Sequence, residues 1–170
     1  SLLTEKKIRN RLVSLIDESV EADSIDMAMF YLSDRKVVEA LKRADKNGVN
    51  IRLALDPNKD AFGREKNGIP NRPVAAELIK NSKGNTKIRW CDTHGEQCHS
   101  KMTLIKNSSG YHLLLGSANL TKRNIGNYNL ETDVLAESDK KIPAIARAYE
   151  FFNETWENRG DRIYTADYEK

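Results

Sequence analysis

One short stretch of this chain holds a histidine, a lysine, a hydroxyl, an amide and a carboxylate at close spacing. It reads His99-Ser100-Lys101, then Gly116-Ser117-Ala118-Asn119, then Asn129-Leu130-Glu131. Together these groups can do phosphoryl chemistry. A lysine ammonium and an asparagine amide can hold the oxygens of a phosphate, and a neutral imidazole can attack phosphorus. A carboxylate accepting the other ring N–H would fix the attacking tautomer. In a strand, His99 and Lys101 project to the same side. Lys106-Asn107-Ser108-Ser109-Gly110 is a cluster of turn formers that folds residues 111–117 back as an antiparallel neighbour. The return brings Gly116, Ser117 and Asn119 beside His99 and Lys101, with Gly116 leaving room for the two long side chains. The turn register decides whether Ser117 shares their face, and the sequence leaves that open.

The combination of His-x-Lys, Gly-Ser-x-Asn and a later Asn-x-Glu resembles the phospholipase D superfamily. Its signature is His-x-Lys, four residues and Asp, followed by Gly-Ser-x-Asn. One position departs from it, because Lys106 stands where the family has Asp. Position 106 is near the turn and far from the reacting end, so the missing acid reads as structural. The resemblance implies two-step phosphodiester cleavage. His99 attacks phosphorus to form a phosphohistidine, a second histidine protonates the leaving oxygen, and water or an alcohol resolves the intermediate. It further implies that Lys101 and Asn119 stabilise phosphoryl charge, that Ser117 supports that shell, that Glu131 orients His99, and that no metal or other cofactor is required. The plainer reading, a buried histidine in an ordinary hairpin, leaves Lys101 and Glu131 without a purpose.

Several rival sites carry less. Cys91, His94, Cys98 and His99 could be taken as a zinc cluster, but Cys-x2-His-x3-Cys-His is not a common finger spacing, and ligation would silence His99 as a nucleophile. His94 reads as a loop histidine beside the pocket. Lys122-Arg123 either meets an anionic substrate or is simply solvated. No Walker-type glycine loop is present. Two cysteines make no disulfide framework; Cys91 and Cys98 flank a polar loop and could pair in an oxidising compartment, with two free thiols the expected state.

The mechanism needs two histidines, yet the chain has only His94, His99 and His112, and neither of the others has a motif around it. The expected partner is therefore a second His-x-Lys half, from an identical chain or from the N-terminal half of a longer parent; the start at Ser1 favours the longer parent. The expected substrate is a phosphodiester, foremost a phospholipid whose phosphatidyl group is cleaved or transferred. The alternatives are a nuclease of the same superfamily and a non-catalytic half that completes a partner's site. A lipid substrate would bring the chain to a membrane surface or the cell envelope.

The elements that must position these residues follow from pattern. At 170 residues, with 31% charged and 39% hydrophobic, the chain is long enough for one domain over 1–170 with a sizeable core. The net charge of +3 is too small to demonstrate a nucleic-acid partner. No apolar run approaches the roughly 18 residues of a membrane span. Ile8, Leu12, Leu15, Ile16 and Val20 space a first helix capped by Thr4. Residues 24–31 are apolar on both faces, as in a covered strand. A helix capped by Ser33 or Asp34 and ended by Asn47-Gly48 leads to a strand over 49–55, a βαβ unit with parallel strands. Residues 56–72 form a long unpatterned loop after a strand's carboxyl end, where open α/β sheets place their sites. It reads as a pocket wall, with Phe62 and Ile69 as apolar contacts and Lys59, Arg64, Lys66 and Arg72 as cations. Pro73 opens a third helix, and 86–91 is a third parallel strand. A further strand over 130–136 carries Glu131 and Asp133 on one face. Ile145, Tyr149, Phe152 and Trp156 line a last helix after Pro143 that packs on the sheet. The expected fold is an α/β/α sandwich, with a mixed parallel and antiparallel sheet and helices on both faces, in agreement with the phospholipase D fold.

Overall fold

The computed structural model describes residues 1–58, 60–61, 64–65 and 67–169, with 60, 61, 64 and 65 described by backbone alone. The elements run β1 (Leu2–Thr4), α1 (Lys6–Asp17), β2 (Ser24–Met29), α2 (Arg35–Lys46), β3 (Asn50–Leu55), β4 (Asp60–Ala61), β5 (Arg64–Glu65) and α3 (Asn71–Asn81). There follow β6 (Thr86–Cys91), β7 (Lys101–Asn107), β8 (Gly110–Gly116), α4 (Lys122–Ile125), β9 (Thr132–Ser138), α5 (Pro143–Glu157) and β10 (Thr165–Asp167). Eight strands form one sheet in the order β1-β9-β8-β7-β2-β3-β6-β10, while β4 and β5 pair with each other.

β2, β3 and β6 are parallel, and the remaining neighbours in the large sheet are antiparallel. This is the mixed sheet expected, including the βαβ unit. Asp34 starts α2 by accepting from the amides of Lys36 and Val37, which satisfies backbone donors that the first turn leaves free. Ile25, Met27 and Met29 of β2 point into a core with α1, α2 and α3. Ala28 faces the other way, into a second core built with Ala54, Met102, Leu104, Leu113 and the α5 residues Ile145 and Phe152. Tyr149 and Trp156 pack against that second core, so the last helix lies on the sheet by the stripe its sequence shows. Alternation explains why β2 is apolar throughout, apart from Asp26. That carboxylate is 2% exposed and is held by Arg52, whose Nε and Nη2 both donate at 2.7 Å.

Several boundaries differ from the sequence reading. Thr4 does not cap α1; it pairs with Thr132 in β1, and α1 begins after Glu5, which has a positive φ of 49°. Val20 lies beyond the helix end and is exposed, so it is no part of the packed stripe. α3 begins at Asn71, ahead of Pro73. β1 and β10 are three-residue edge strands, too short for alternation to show. Of the wall proposed over 56–72, Lys59, Phe62 and Lys66 lie outside the described residues, as does the Arg64 side chain. Ile69 is exposed and the Arg72 guanidinium lies 5.4 Å from the centre of the Trp90 ring. Among the described residues no helix is long and apolar enough to cross a membrane.

Candidate active site

The carboxyl ends of β2, β3 and β8 and the starts of β7 and β9 meet at one end of the sheet. The hairpin register pairs Met102 with Leu115, and Gly116 stands opposite Asp133 on β9. A Cβ on Gly116 would lie 2.1 Å from Asp133 Oδ1 and 2.4 Å from the Thr132 carbonyl oxygen. Only glycine lets β8 and β9 approach this closely beside the long polar side chains.

His99 sits just before β7 rather than inside it. Its ring and Lys101 nevertheless converge as expected: Lys101 Nζ lies 3.1 Å from Nδ1 and 3.3 Å from Nε2 and donates to the His99 carbonyl at 3.0 Å. Phe30, at the end of β2, lies under both groups. Its ring centre is 4.8 Å from that of His99 and 5.6 Å from Lys101 Nζ. The Phe30 amide donates to the Ser100 carbonyl, which ties this segment to β2 beyond the regular ladder.

A buried polar clasp fixes the approach to His99. The Asp56 carboxylate, at the end of β3, accepts from the Cys98 amide at 2.7 Å with Oδ2 and from the Asn58 amide at 2.7 Å with Oδ1. Asn58 Nδ2 donates to Asp56 Oδ1 and to the Phe30 carbonyl. Asn71, fully buried at the start of α3, accepts from the Leu32 amide and donates to the carbonyls of Phe30 and Asp56. Asp56, Asn58 and Asn71 are buried and paired, which is what makes such a network rigid. Asp56, Asn58, Asn71 and Phe30 were missed as site residues. The available signal was the Asp56-x-Asn58 pair directly after the carboxyl end of a parallel strand.

Cys91 and Cys98, expected as free thiols, are joined by a disulfide with Cα atoms 6.2 Å apart. β6 ends at Cys91 two strands from β2, and Asp56 draws Cys98 to the neighbouring β3 end, so the loop between them closes on itself. The bond takes both sulfur ligands out of the zinc arrangement considered from the sequence. The loop, Ser100, Phe151, Ile163 and Tyr164 enclose a cavity of about 600 Å³ beside the site.

The second motif residues occupy the loop after β8. Ser117 Oγ donates to Glu131 Oε2 at 2.5 Å and accepts from the Thr132 amide. Glu131 precedes β9 and also accepts from Asn124 Nδ2, so in this structure its two oxygens serve Ser117 and Asn124, not the His99 ring. Asp133, predicted on the same strand face as Glu131, is the deeply buried one and accepts from the Ala118 amide at 3.1 Å. Leu120 bonds the 31–34 segment, donating to the Tyr31 carbonyl and accepting from the amides of Ser33 and Asp34. Asn119 is held between these anchors, and its Oδ1 is buried without a partner among the described residues.

Burial, and secondarily the Lys101 charge, push the His99 ring below the usual histidine range, against the pull of Asp56. The ring is therefore neutral at neutral pH, with a lone pair to offer. Burial also lowers Lys101, opposed by Glu131 and Asp133, and burial raises Asp133, helped by Glu131. The other histidines stand apart. His94 is exposed and lies near Glu96. His112 is buried at the far end of the hairpin, with Nδ1 3.0 Å from Glu137 and Nε2 3.1 Å from Asn107 Oδ1. Lys122, Arg123 and Tyr128 border a second cavity of about 520 Å³ beyond Asn119.

Residues 12–156 match the family described as cardiolipin synthase, PLD-like domain. No curated protein matches by sequence. Among solved structures the chain is similar to Nuc from Salmonella typhimurium, described as a phospholipase D family member. The two are 22% identical, with 100% of this chain and 99% of Nuc covered and a TM-score of 0.68. NucT from Helicobacter pylori is 17% identical over 99% of this chain and 98% of its own, with a TM-score of 0.71. Polyphosphate kinase from Porphyromonas gingivalis is 20% identical over 98% of this chain but only 23% of its own, with a TM-score of 0.66.

Proposed function

Because this chain belongs to the phospholipase D-like family, whose members are generally phosphodiesterases, we propose that His99 is the nucleophile of a phosphodiester-cleaving site. The observation that carries the reading is the meeting of a neutral imidazole with the Lys101 ammonium at 3.1 Å, beside an Asn119 amide held by its loop. His99 forms a nitrogen–phosphorus bond as the bond from phosphorus to the leaving oxygen breaks. A second histidine gives its proton to that oxygen. Water then attacks phosphorus and the nitrogen–phosphorus bond breaks, returning the imidazole; an alcohol in place of water yields a transfer product. Lys101 and Asn119 hold the phosphoryl oxygens as charge builds. Ser117 and Glu131 brace the Asn119 loop, and Glu131 reaches His99 only on exchanging one of its present partners.

His94 is exposed near Glu96 and His112 is buried at the far end of the hairpin, so we assign the proton donor to the His99 of a second half, which another copy about a two-fold axis would supply.

The substrate best supported is a nucleic-acid strand, from the cavity of Lys122, Arg123 and Tyr128. It pairs cations for a diester backbone with a ring for base stacking. The phosphatidyl reading rests on a different observation, the exposed Leu115 and Leu130 near the same end. A panel of single-stranded DNA, RNA, phosphatidylcholine, phosphatidylglycerol and cardiolipin tests both, with wild type and His99→Ala side by side. Turnover of a nucleic acid lost in His99→Ala supports the proposal, and turnover of lipid alone moves the substrate to phosphatidyl groups. Undiminished cleavage by folded His99→Ala removes the nucleophile assignment.

A further inference from the structure

Lys106 breaks the family signature, and the proposed reaction makes no use of it. It lies five residues along β7 from Lys101, about 17 Å at the usual strand rise, on the sheet face that α5 covers. There Ser24, Asp26, Arg52, Lys106, Tyr111, Lys141 and Tyr149 line a separate cavity of about 360 Å³. The register explains the grouping. Ser24 pairs with Lys106 across β2 and β7, Lys106 with Tyr111 across β7 and β8, and Asp26 with Arg52 across β2 and β3.

The charges in this pocket do not cancel. Both oxygens of Asp26 are taken by Arg52, so that pair is neutral. Lys106 and Lys141 have no carboxylate within 4.0 Å among the described residues. They are held over aromatic faces instead. Lys141 Nζ lies 4.7 Å from the centre of the Tyr149 ring and 5.6 Å from that of Tyr111, and Lys106 Nζ lies 6.0 Å from Tyr111. Among the described residues Tyr149 Oη is buried with no hydrogen bond of good geometry, the Ser24 hydroxyl being the side chain that would support its ionised form. Burial, and next the Asp26 charge, keep the phenol above its usual range, so it remains a donor. A buried donor without an acceptor is costly, and two cations beside it supply the charge for a ligand that would satisfy it. An aspartate at position 106 would cancel one of those charges. Lysine there makes the pocket basic.

We propose that this pocket is a second anion site that binds a phosphate monoester, with Lys106 and Lys141 balancing its two charges and the Tyr149 hydroxyl donating to one of its oxygens. The volume admits a phosphate with a group of ring size attached, and the two unpaired ammonium groups match a dianion better than the single charge of a diester.

The test is a titration of the intact protein followed by amide and lysine NMR shifts, with inorganic phosphate, a nucleoside monophosphate and a dinucleotide diester as separate probes. Expected are saturable shifts at Ser24, Lys106, Tyr111 and Lys141, with both monoester-type probes binding about tenfold more tightly than the diester. Lys106→Asp is expected to weaken phosphate about tenfold or more, and Tyr149→Phe, which removes only the hydroxyl, several-fold. Lys106 is exposed, so Lys106→Gln gives a folded control in which the loss persists. Saturation only at the His99 end would overturn the assignment, as would phosphate affinity indifferent to Lys106→Asp and Tyr149→Phe. Equal binding of monoester and diester would overturn the choice of ligand.

Discussion

Replacing Asp56 by asparagine changes one atom and one charge, and the structure says where both are felt. Oδ1 serves Asn58 twice and can remain an oxygen. The amide nitrogen must then replace Oδ2, where it faces the Cys98 N–H now 2.7 Å away, donor against donor. A hydrogen bond to a buried charged acceptor is worth about 1.5–3 kcal/mol. For a chain of this size that is roughly 2–4 °C of melting temperature per kcal/mol, or about 3–12 °C in all. The charge acts on His99 separately. Asp56 pulls the His99 pKa upward against burial and Lys101, so Asp56→Asn is expected to lower it further. The nucleophile must be neutral, so the acid limb of kcat/KM on a chromogenic phosphodiester moves to lower pH. Its plateau falls as the Cys98–His99 segment loosens. Direct NMR titration of the His99 ring checks the sign without relying on turnover. A purely structural Asp56 would lower stability without moving that titration. An unchanged or upward-moving His99 pKa, or an unchanged melting temperature, refutes the reasoning.

Four further outcomes are expected. Lys101→Met removes a cation that depresses His99, so the ring should titrate higher, while kcat on a chromogenic diester drops roughly 10²–10³-fold with KM little changed, the pattern of a lost transition-state contact. Gly116→Ala places a methyl 2.4 Å from the Thr132 carbonyl oxygen; β9 must move away, and about 3 kcal/mol of stability in urea melts should go with it. Asp45 is buried and accepts from Ser82, Thr86 and the Lys83 amide at 2.6 Å each, so Asp45→Ala should cost about 3 kcal/mol by stranding these donors. Glu77, hydrogen-bonded by Arg35 and also by Lys42, is held down at about 2. Its contribution is complete above the ordinary carboxylate value and is lost as pH falls toward 2, so Glu77→Gln should flatten stability against pH in that window.

The parts of this molecule legible in its sequence are those whose signal is local. The helix stripe of Ile145, Phe152 and Trp156, the Asp34 cap, the apolar run of β2 and the turn at Asn107–Gly110 each announce themselves within a few residues. So does the convergence of His99 and Lys101, because a spacing of two survives even though His99 stands just outside β7. β1 and β10 were invisible because three residues carry no period, and their pairing energy comes from strands far along the chain. The disulfide was unreadable for the same reason. Nothing near Cys98 shows that Asp56 takes its amide and turns its side chain toward Cys91.

The polar residues around the site show the limit most clearly. Asp56, Asn58 and Asn71 resemble the ordinary furniture of a loop, and only the fold reveals that they bury together and that Asn58 and Asn71 both donate to the Phe30 carbonyl. Glu131 shows the converse. Its spacing from Gly-Ser-x-Asn suggested a partner for His99, whereas its oxygens go to Ser117 and Asn124. A carboxylate two bonds deep in its own loop cannot at the same time hold the ring of a residue on another strand. Lys101 as an ammonium only donates, so it can bond only the ring nitrogen that carries the lone pair, which leaves the proton on the other nitrogen; Lys101 must turn to the phosphoryl oxygens before that lone pair can attack. Among the described residues neither His94, exposed near Glu96, nor His112, buried against Glu137 and Asn107, is bonded to His99 as a proton donor for the leaving oxygen. If a second copy supplies that donor, activity must fall with dilution below the dimer's dissociation constant while the fold stays intact. Activity proportional to concentration across a demonstrated monomer–dimer transition would mean that a single copy suffices and that another group protonates the leaving oxygen.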